Sequence, residues 1–410
     1  MKLLKTLSPK LQHDLLVLFA AGLLFWSGLA ALLPTLPLYI QDAGGTSQDI
    51  GIVMGAFAVG LLASRPSLAT LADRRGRKIV LLIGIAAVAI APLGYLLTDS
   101  IPLLIAIRAF HGISISAFAL AYTALVVDLS PVEHRGELIG YMSLVNPLGL
   151  ALGPAMGGFL QEWVGYEPMF LAAAALGGLG WICTARIQEP ESVHPLDPSS
   201  AQPSGQFWQM LGSPRIRIPA TVLLLIGLAF GTLSTFVPLF IKEVGVNLNV
   251  GLFYTAAAIA SFGIRIVAGR ASDRYGRGPF ITLSLVFYTT AMMLLWQANS
   301  AASFLLAGAI QGAGSGTLIP MISALMADRS HANERGKVFG LCMVGFDVGI
   351  AIAGPIAGAI ATQTGYKNVF GLTAGLAFLS LIVFLTLSSK SLGHSFQFAT
   401  GRGEDVYAIK

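Results

Sequence analysis

Asp347, in Gly345-Phe346-Asp347-Val348-Gly349, is the one acid set deep inside any long apolar segment of this 410-residue chain. A carboxyl group at that depth can carry a proton or hold a cationic ligand. Its plainer use is a fixed ion pair with Arg108 or Arg265 that locks two helices. Arg108 and His111 are a second candidate pair, in Arg108-Ala109-Phe110-His111-Gly112. Three residues apart, they share one helix face, and at about 1.5 Å per residue from Ile101 they sit about 10 and 15 Å into their segment. An arginine there avoids lipid, and a histidine can change charge near neutral pH. The alternative for His111 is a neutral imidazole bonded to a backbone carbonyl, because Gln311, a residue that does not titrate, stands at the equivalent place 200 residues on.

That offset of 200 recurs. Arg65 and Asp73-Arg74-Arg75-Gly76-Arg77 return as Arg265 and Asp273-Arg274-Tyr275-Gly276-Arg277, and Asp128, Gly112 and Gly165-Tyr166 return as Asp328, Gly312 and Gly365-Tyr366. One register held over a hundred residues means two similar halves, and in membrane transporters built that way the substrate lies where repeats meet. A one-residue shift, set by aligning Pro154 with Pro355, makes Asn146 the partner of Asp347. The halves then differ in charge at the matched place, and Asn146 could bond a ligand or a neighbouring helix. Arg65 and Arg265 each precede their loop aspartate by eight residues, about 12 Å along a helix. They are expected to pair inside a bundle, the alternative being to snorkel to headgroups.

The elements that must position these residues are apolar. Fifty-five per cent of the chain is hydrophobic, 11% is charged and the mean hydropathy is +0.75, too little polar surface for a soluble protein of this size. Segments able to span a core of roughly 30 Å fall at residues 15–40, 50–72, 79–97, 101–127, 138–160 and 169–185, then at 218–241, 250–269, 279–296, 301–326, 338–361 and 369–387. The expected fold is therefore all-α in the membrane, twelve transmembrane helices in two six-helix bundles. Residues 1–186 form the first bundle, 187–217 a Pro- and Ser-rich linker with a short surface helix near Phe207 to Leu211, 218–390 the second bundle and 391–410 a polar tail. Of the 25 Lys and Arg, 20 fall on the face carrying the termini and linker, which predicts that both termini are cytoplasmic. The basic balance then reports topology and anionic lipid, with no nucleic acid implied. Cys183 and Cys342 lack metal-ligand spacing and read as core thiols; no metal, cofactor or catalytic set is expected, and the chain reads as no enzyme.

Three motifs carry a resemblance to the major facilitator superfamily, and within it to bacterial twelve-helix drug and metabolite efflux proteins. The first is the loop Ala69-Thr70-Leu71-Ala72-Asp73-Arg74-Arg75-Gly76-Arg77-Lys78, with Ala69 where the family usually has Gly; the second half keeps Gly269 but ends Arg277-Gly278. The second is the Arg108-x-x-x-Gly112 of proton-coupled antiporters. The third is Gly149-x-x-x-Gly153-Pro154-x-x-Gly157-Gly158, similar to an antiporter motif, where small residues allow close helix approach and the proline bends the helix. The resemblance implies a gate latch in which Asp73 caps the eleventh helix and Arg77 pairs with Asp128, with Asp273, Gly276 and Arg277 as its second copy.

The resulting expectation is a monomeric, multi-pass bacterial inner-membrane transporter exporting a small organic compound in exchange for protons by alternating access, with Asp347, Arg108, His111, Asn146 and Gln311 as coupling or substrate residues. Uptake by symport or facilitation is one alternative. A non-transporting relative that helps assemble a membrane complex is another, one that would not need to keep Asp347, Arg108, Arg65 and Arg265.

Overall fold

The computed structural model describes residues 7–131, 134–189, 212–331 and 334–409; the expected surface helix near Phe207 to Leu211 lies outside them. The described residues form helices α1 (Pro9–Asp42), α2 (Ser47–Arg75), α3 (Arg77–Leu96), α4 (Ile101–Leu129), α5 (Arg135–Met142), α6 (Val145–Val164), α7 (Tyr166–Arg186), α8 (Pro214–Val244), α9 (Val250–Tyr275), α10 (Arg277–Trp296), α11 (Ala301–Asp328), α12 (Arg335–Leu387) and α13 (Leu392–Ala399). Local chemistry sets many of the ends. Ser8 accepts from the Leu11 amide and Pro9 follows it, a favoured helix start, while Ser300 and Ser303 close a reciprocal capping box on α11. Gly245 ends α8 in the left-handed conformation.

Among the described residues, eleven helices are long and apolar enough to cross a membrane, counting α5 and α6 as one. The 53 residues of α12 would extend about 80 Å at 1.5 Å each, more than twice the bilayer core. Gly365 breaks that run with φ 78° and ψ 164°, so α12 crosses on both sides of it and the crossings number twelve. The chain is thus a multi-pass membrane protein. The same backbone conformation recurs at the repeat positions: Gly76 has φ 95° and Gly276 φ 84°, Gly165 φ 89° and Gly365 φ 78°. The offset of 200 is a repeat of geometry as well as of letters.

Two compact units divide the described residues, one within Met1–Gly44 and Ala56–Ser200, the other within Gly45–Gly55 and Ala201–Lys410. The division differs from a cut at the linker: the first turns of α2 belong with the second unit. In the first unit α1 packs on α6 and α7, and α3 on α4 and α7; in the second, α8 packs on α12, α9 on α11, and α10 on α11 and α12. Glycines bring these pairs within backbone contact. A Cβ on Gly112 of α4 would meet the Phe57 carbonyl of α2, and one on Gly312 of α11 would meet the Ala257 carbonyl of α9.

The Gly-Pro motif shows the same use of small residues and explains its own misregister. Gly149, Gly153 and Gly157 of α6 seat against Trp26, Ser27 and Ala31 of α1. On α12 the equivalent stripe is Gly345, Gly349 and Ala353, seated against Ala220, Leu224 and Gly231 of α8, while Gly354 and Gly358 seat on Gly51 and Ser47 of α2. Five residues from 349 to 354 turn a helix by about 140° beyond a full circle. The shifted Gly-Pro pair therefore serves a second face of α12, the one packed on α2.

One expected segment is not a single rod. Residues 138–160 are divided by a turn at Ser143 and Leu144 between α5 and α6. Pro147 has no amide hydrogen for the Ser143 carbonyl, which accepts instead from Asn146 at 3.3 Å. The shifted equivalent on α12 is Val348, and the helix has no turn at that point.

Candidate functional site

The loop motifs build two unequal clasps. In the first unit Arg77 Nε lies 3.5 Å from Asp128, and in the second Arg277 Nε lies 3.4 Å from Asp328. Arg277 also donates to Asp273 at 2.5 Å and to Ser272 at 2.7 Å. Position 72 is an alanine with no hydroxyl to offer, Asp73 is exposed, and Arg77 Nη1 is buried without a hydrogen-bond partner among the described residues. The first clasp has another member, which sequence reasoning missed. Glu189, just past α7, accepts from the Arg77 amide at 2.6 Å and the Lys78 amide at 3.3 Å, placing a carboxylate on the positive end of α3. A Cβ at Gly76 would lie 2.6 Å from that carboxylate, whereas one at Gly276 would meet nothing. Both positions have a positive φ that side chains avoid, at a cost of about 1–3 kcal/mol. Gly76→Ala should therefore lower the thermal midpoint in detergent further than Gly276→Ala, and equal shifts would mean that Glu189 does not sit there.

On α4, Arg108 and His111 are buried and engage each other. Arg108 Nη1 lies 3.4 Å from His111 Nδ1, with the Tyr95 hydroxyl 3.3 Å from the same nitrogen. The Phe57 ring lies under the guanidinium at 4.5 Å and edge-on to the imidazole. A guanidinium only donates, so Nδ1 accepts and the ring proton belongs on Nε2. His111 Nε2 and Arg108 Nε are buried with no partner among the described residues. Gln311, the repeat partner of His111, is likewise buried on α11. Arg65 is partly buried on α2. Arg265 donates from Nε to the Gly316 carbonyl at 3.1 Å, an interaction inside its own unit.

Asp347 is 6% exposed on α12. It lies between Gly345 and Gly349, and the carbonyl of its neighbour Phe346 abuts Gly227, so α8 fixes the backbone that carries the acid. Asn146, its shifted partner, opens onto a cavity of the first unit. That cavity, about 320 Å³, is lined by Trp26, Phe118, Tyr122, Met142, Ser143 and Asn146, with neighbouring residues of α4 and α5. Phe118 stacks on Phe25 at 4.1 Å and on Tyr122 at 4.5 Å, and Trp26 meets it edge-on at 5.7 Å. The result is a rigid aromatic wall. Trp26 Nε1 is buried without a hydrogen-bond partner among the described residues. The turn at Ser143, a residue that lines this cavity, was not foreseen, though Pro147 was its visible signal.

Among other aromatic side chains, Phe236, Tyr254 and Phe346 are buried, Phe110 is exposed, and Tyr39 donates to the Tyr95 carbonyl at 2.8 Å. They belong to packing and helix ends. Both cysteines are free thiols, and no cluster of metal-ligating side chains occurs among the described residues.

Comparison with known proteins gives this arrangement its relatives. The chain is 28% identical over 361 residues to the quinolone resistance protein NorA of Staphylococcus aureus, covering 85% of this chain and 90% of that one. It is 25% identical over 391 residues to the multi-drug resistance efflux pump PmrA of Streptococcus pneumoniae, covering 92% and 97%. Its fold is similar to that of the nucleoside transporter NupG, with a TM-score of 0.79 at 13% identity, covering 91% of this chain and 99% of that one. The family profile described as Major Facilitator Superfamily matches residues 18–274 and 250–398, nearly the whole chain and both copies of the repeat. Neither this family nor this fold is that of an enzyme. With its twelve crossings, duplicated loop clasp and glycine-lined helix pairs, the chain belongs to the Major Facilitator Superfamily.

Proposed function

We propose that this protein exports a small, largely aromatic, drug-like or metabolite compound in exchange for protons by alternating access. The observation that carries the reading is the cavity beside Asn146, about 320 Å³ in volume, a size at the lower end of small-molecule sites. A planar ligand fits beside Phe118 and Tyr122, which line the cavity with Trp26, and an acceptor on it would take the Trp26 N–H. The names of the relatives, a quinolone resistance protein and a multi-drug efflux pump, support the same class of cargo. Asp347 is assigned the coupled proton, Arg108 the cationic counterpart, and His111 a positioning role, since its Nδ1 is occupied by Arg108. Gln311 is assigned a polar role on the second unit's matching helix. The loop residues Asp73, Gly76, Arg77 and Asp128, with Asp273, Gly276, Arg277 and Asp328, form the gate latches in this scheme. Gly149, Gly153, Pro154, Gly157 and Gly158 give α6 its close sliding contact on α1. By the same reading the protein is a monomer of a bacterial inner membrane, with both termini cytoplasmic by the positive-inside rule.

The test is transport by purified protein in proteoliposomes, with dyes, quinolone and other antibiotics, siderophores and sugars offered under an imposed proton gradient. Outward movement of an aromatic compound driven by inward protons supports the proposal. Accumulation of a sugar with protons would replace it by uptake. Trp26→Phe keeps the aromatic wall and deletes the donor. It is expected to raise the apparent Km of an acceptor-bearing substrate about fivefold, the worth of one neutral hydrogen bond of about 1 kcal/mol, with the maximal rate unchanged. An unchanged Km would place the ligand elsewhere.

A further inference from the structure

The largest fully buried side chain among the described residues is a charged one, Arg329, the residue after Asp328 at the end of α11. Its Nε donates to Asp405 Oδ2 at 2.7 Å and Nη2 to Asp405 Oδ1 at 2.9 Å, a two-pronged pair reaching 76 residues along the chain. Nη1 donates to the Arg215 carbonyl at 3.0 Å and Nη2 also to the Ser388 carbonyl at 3.1 Å. The rings of Tyr407 and Phe398 lie 5.0 and 5.7 Å from the guanidinium carbon. A polar tail following the last crossing would need none of this; a buried arginine with all three nitrogens engaged is a built socket.

The socket holds a strap against the second loop motif. The Ile409 amide donates to the Asp328 carbonyl at 2.9 Å, Thr282 donates to the Ala399 carbonyl at 2.8 Å, and the Phe398 carbonyl abuts Gly278 at the start of α10. Between strap and motif lies a cavity of about 570 Å³ lined by Asp273, Arg277, Asp328, Arg402, Glu404 and Asp405 among others. Asp328 thus holds the motif's Arg277 with its side chain and the strap with its backbone, and Arg329 holds the strap again. In the first unit the position of Arg329 is Leu129, yet the segment after the sixth crossing folds back there too, through Glu189 onto α3. Each unit closes its own loop motif with the chain that leaves its last crossing.

We propose that residues 398–409 are a working component of the second unit's loop clasp, and that Arg329 is the residue that positions it. The strap stabilises the clasped arrangement of Asp273, Arg277 and Asp328, so its release loosens that clasp and slows the conformational cycle. Only the flux readout below rests on the transport reading.

The experiment places single cysteines at Ala399, inside the strap, and at Ser272, inside the clasp, in full-length protein lacking Cys183 and Cys342. Both sites are at most 1% exposed. Maleimide labelling is followed in membranes. Arg329→Gln and Asp405→Asn should each speed labelling at both sites by at least about a hundredfold, the lower end of what removing one partner of a buried ion pair costs. The double variant Arg329→Gln/Asp405→Asn leaves no unpaired charge and should return both rates towards those of the parent, a rescue that general misfolding would not give. In proteoliposomes each single variant should lower the maximal rate of ethidium export with its apparent Km unchanged. Unchanged labelling at Ala399, or faster labelling there with none at Ser272, would overturn the proposal. If the parent moves no ethidium, the drug-export reading loses support, while labelling at Ser272 still decides whether the strap holds the clasp.

Discussion

Asp347→Asn is expected to abolish substrate-dependent proton movement in proteoliposomes while leaving the protein folded. An amide matches the carboxyl in shape and hydrogen-bonding capacity but carries neither charge nor an exchangeable acid proton. The first unit has an amide, Asn146, at the matched position. Asp347 is buried, at 6% exposure, and its backbone is set by the Gly345 and Gly349 contacts with α8, so a change of function cannot be passed to a mobile neighbour. Other acids lie at helix ends: Asp14 in the second turn of α1, Asp49 in the first of α2, Asp128 and Asp328 in the last turns of α4 and α11. With no second carboxyl at that depth, proton-coupled flux should fall at least about a hundredfold, the lower bound for losing a dedicated proton-transfer group. Asp347→Glu, which restores the acid with one more methylene, should recover part of it. Wild-type proton flux in Asp347→Asn would move coupling elsewhere and leave Asp347 as a structural acid.

Much of the fold was legible because a bilayer admits few solutions. Backbone groups in hydrocarbon must be satisfied within the segment, so apolar stretches of about 20 residues could only be helices, and the offset of 200 showed that twelve of them formed two related sets. The repeat even announced its glycine breaks, since Gly165-Tyr166 and Gly365-Tyr366 mark the same turn. The rest depended on contacts between distant residues. Glu189 is one acid among several beside the linker until the α3 amides are placed next to it. Arg329 reads as a loop charge until Asp405 returns to it. The Arg108–His111 pair was visible as spacing, but which imidazole nitrogen accepts follows only from the guanidinium lying 3.4 Å from Nδ1. The aromatic cavity was invisible for a further reason: it needs the turn at Ser143, and that turn needs a proline, Pro147, that looked ordinary beside the more conspicuous Pro154.

Glycines are where sequence and structure part most sharply, and they carry the second large effect. Gly312→Val is expected to destabilise the protein severely, because its Cβ would meet the Ala257 carbonyl of α9. A backbone oxygen cannot rotate aside as a side chain can, so α9 and α11 must separate along the whole contact formed with Gly308 and Gly316. Forcing atoms into a packed interior costs about 1–3 kcal/mol even where side chains yield, and here the cost should reach or exceed the top of that range. Gly112→Val should behave alike in the first unit, where the Phe57 carbonyl occupies the same place. Gly263 and Gly269, by contrast, sit on α9 with nothing within 4 Å of an added Cβ. Gly263→Ala and Gly269→Ala should each stabilise by about 0.5–1 kcal/mol, as alanine does in any unobstructed helix. Thermal unfolding in detergent, read alongside membrane yield, separates the two classes. If Gly312→Val unfolds with the wild-type midpoint, α9 and α11 are not in backbone contact. If Gly269→Ala destabilises the protein, a partner occupies the space beside α9, and the glycine kept in the second loop motif has a contact to serve.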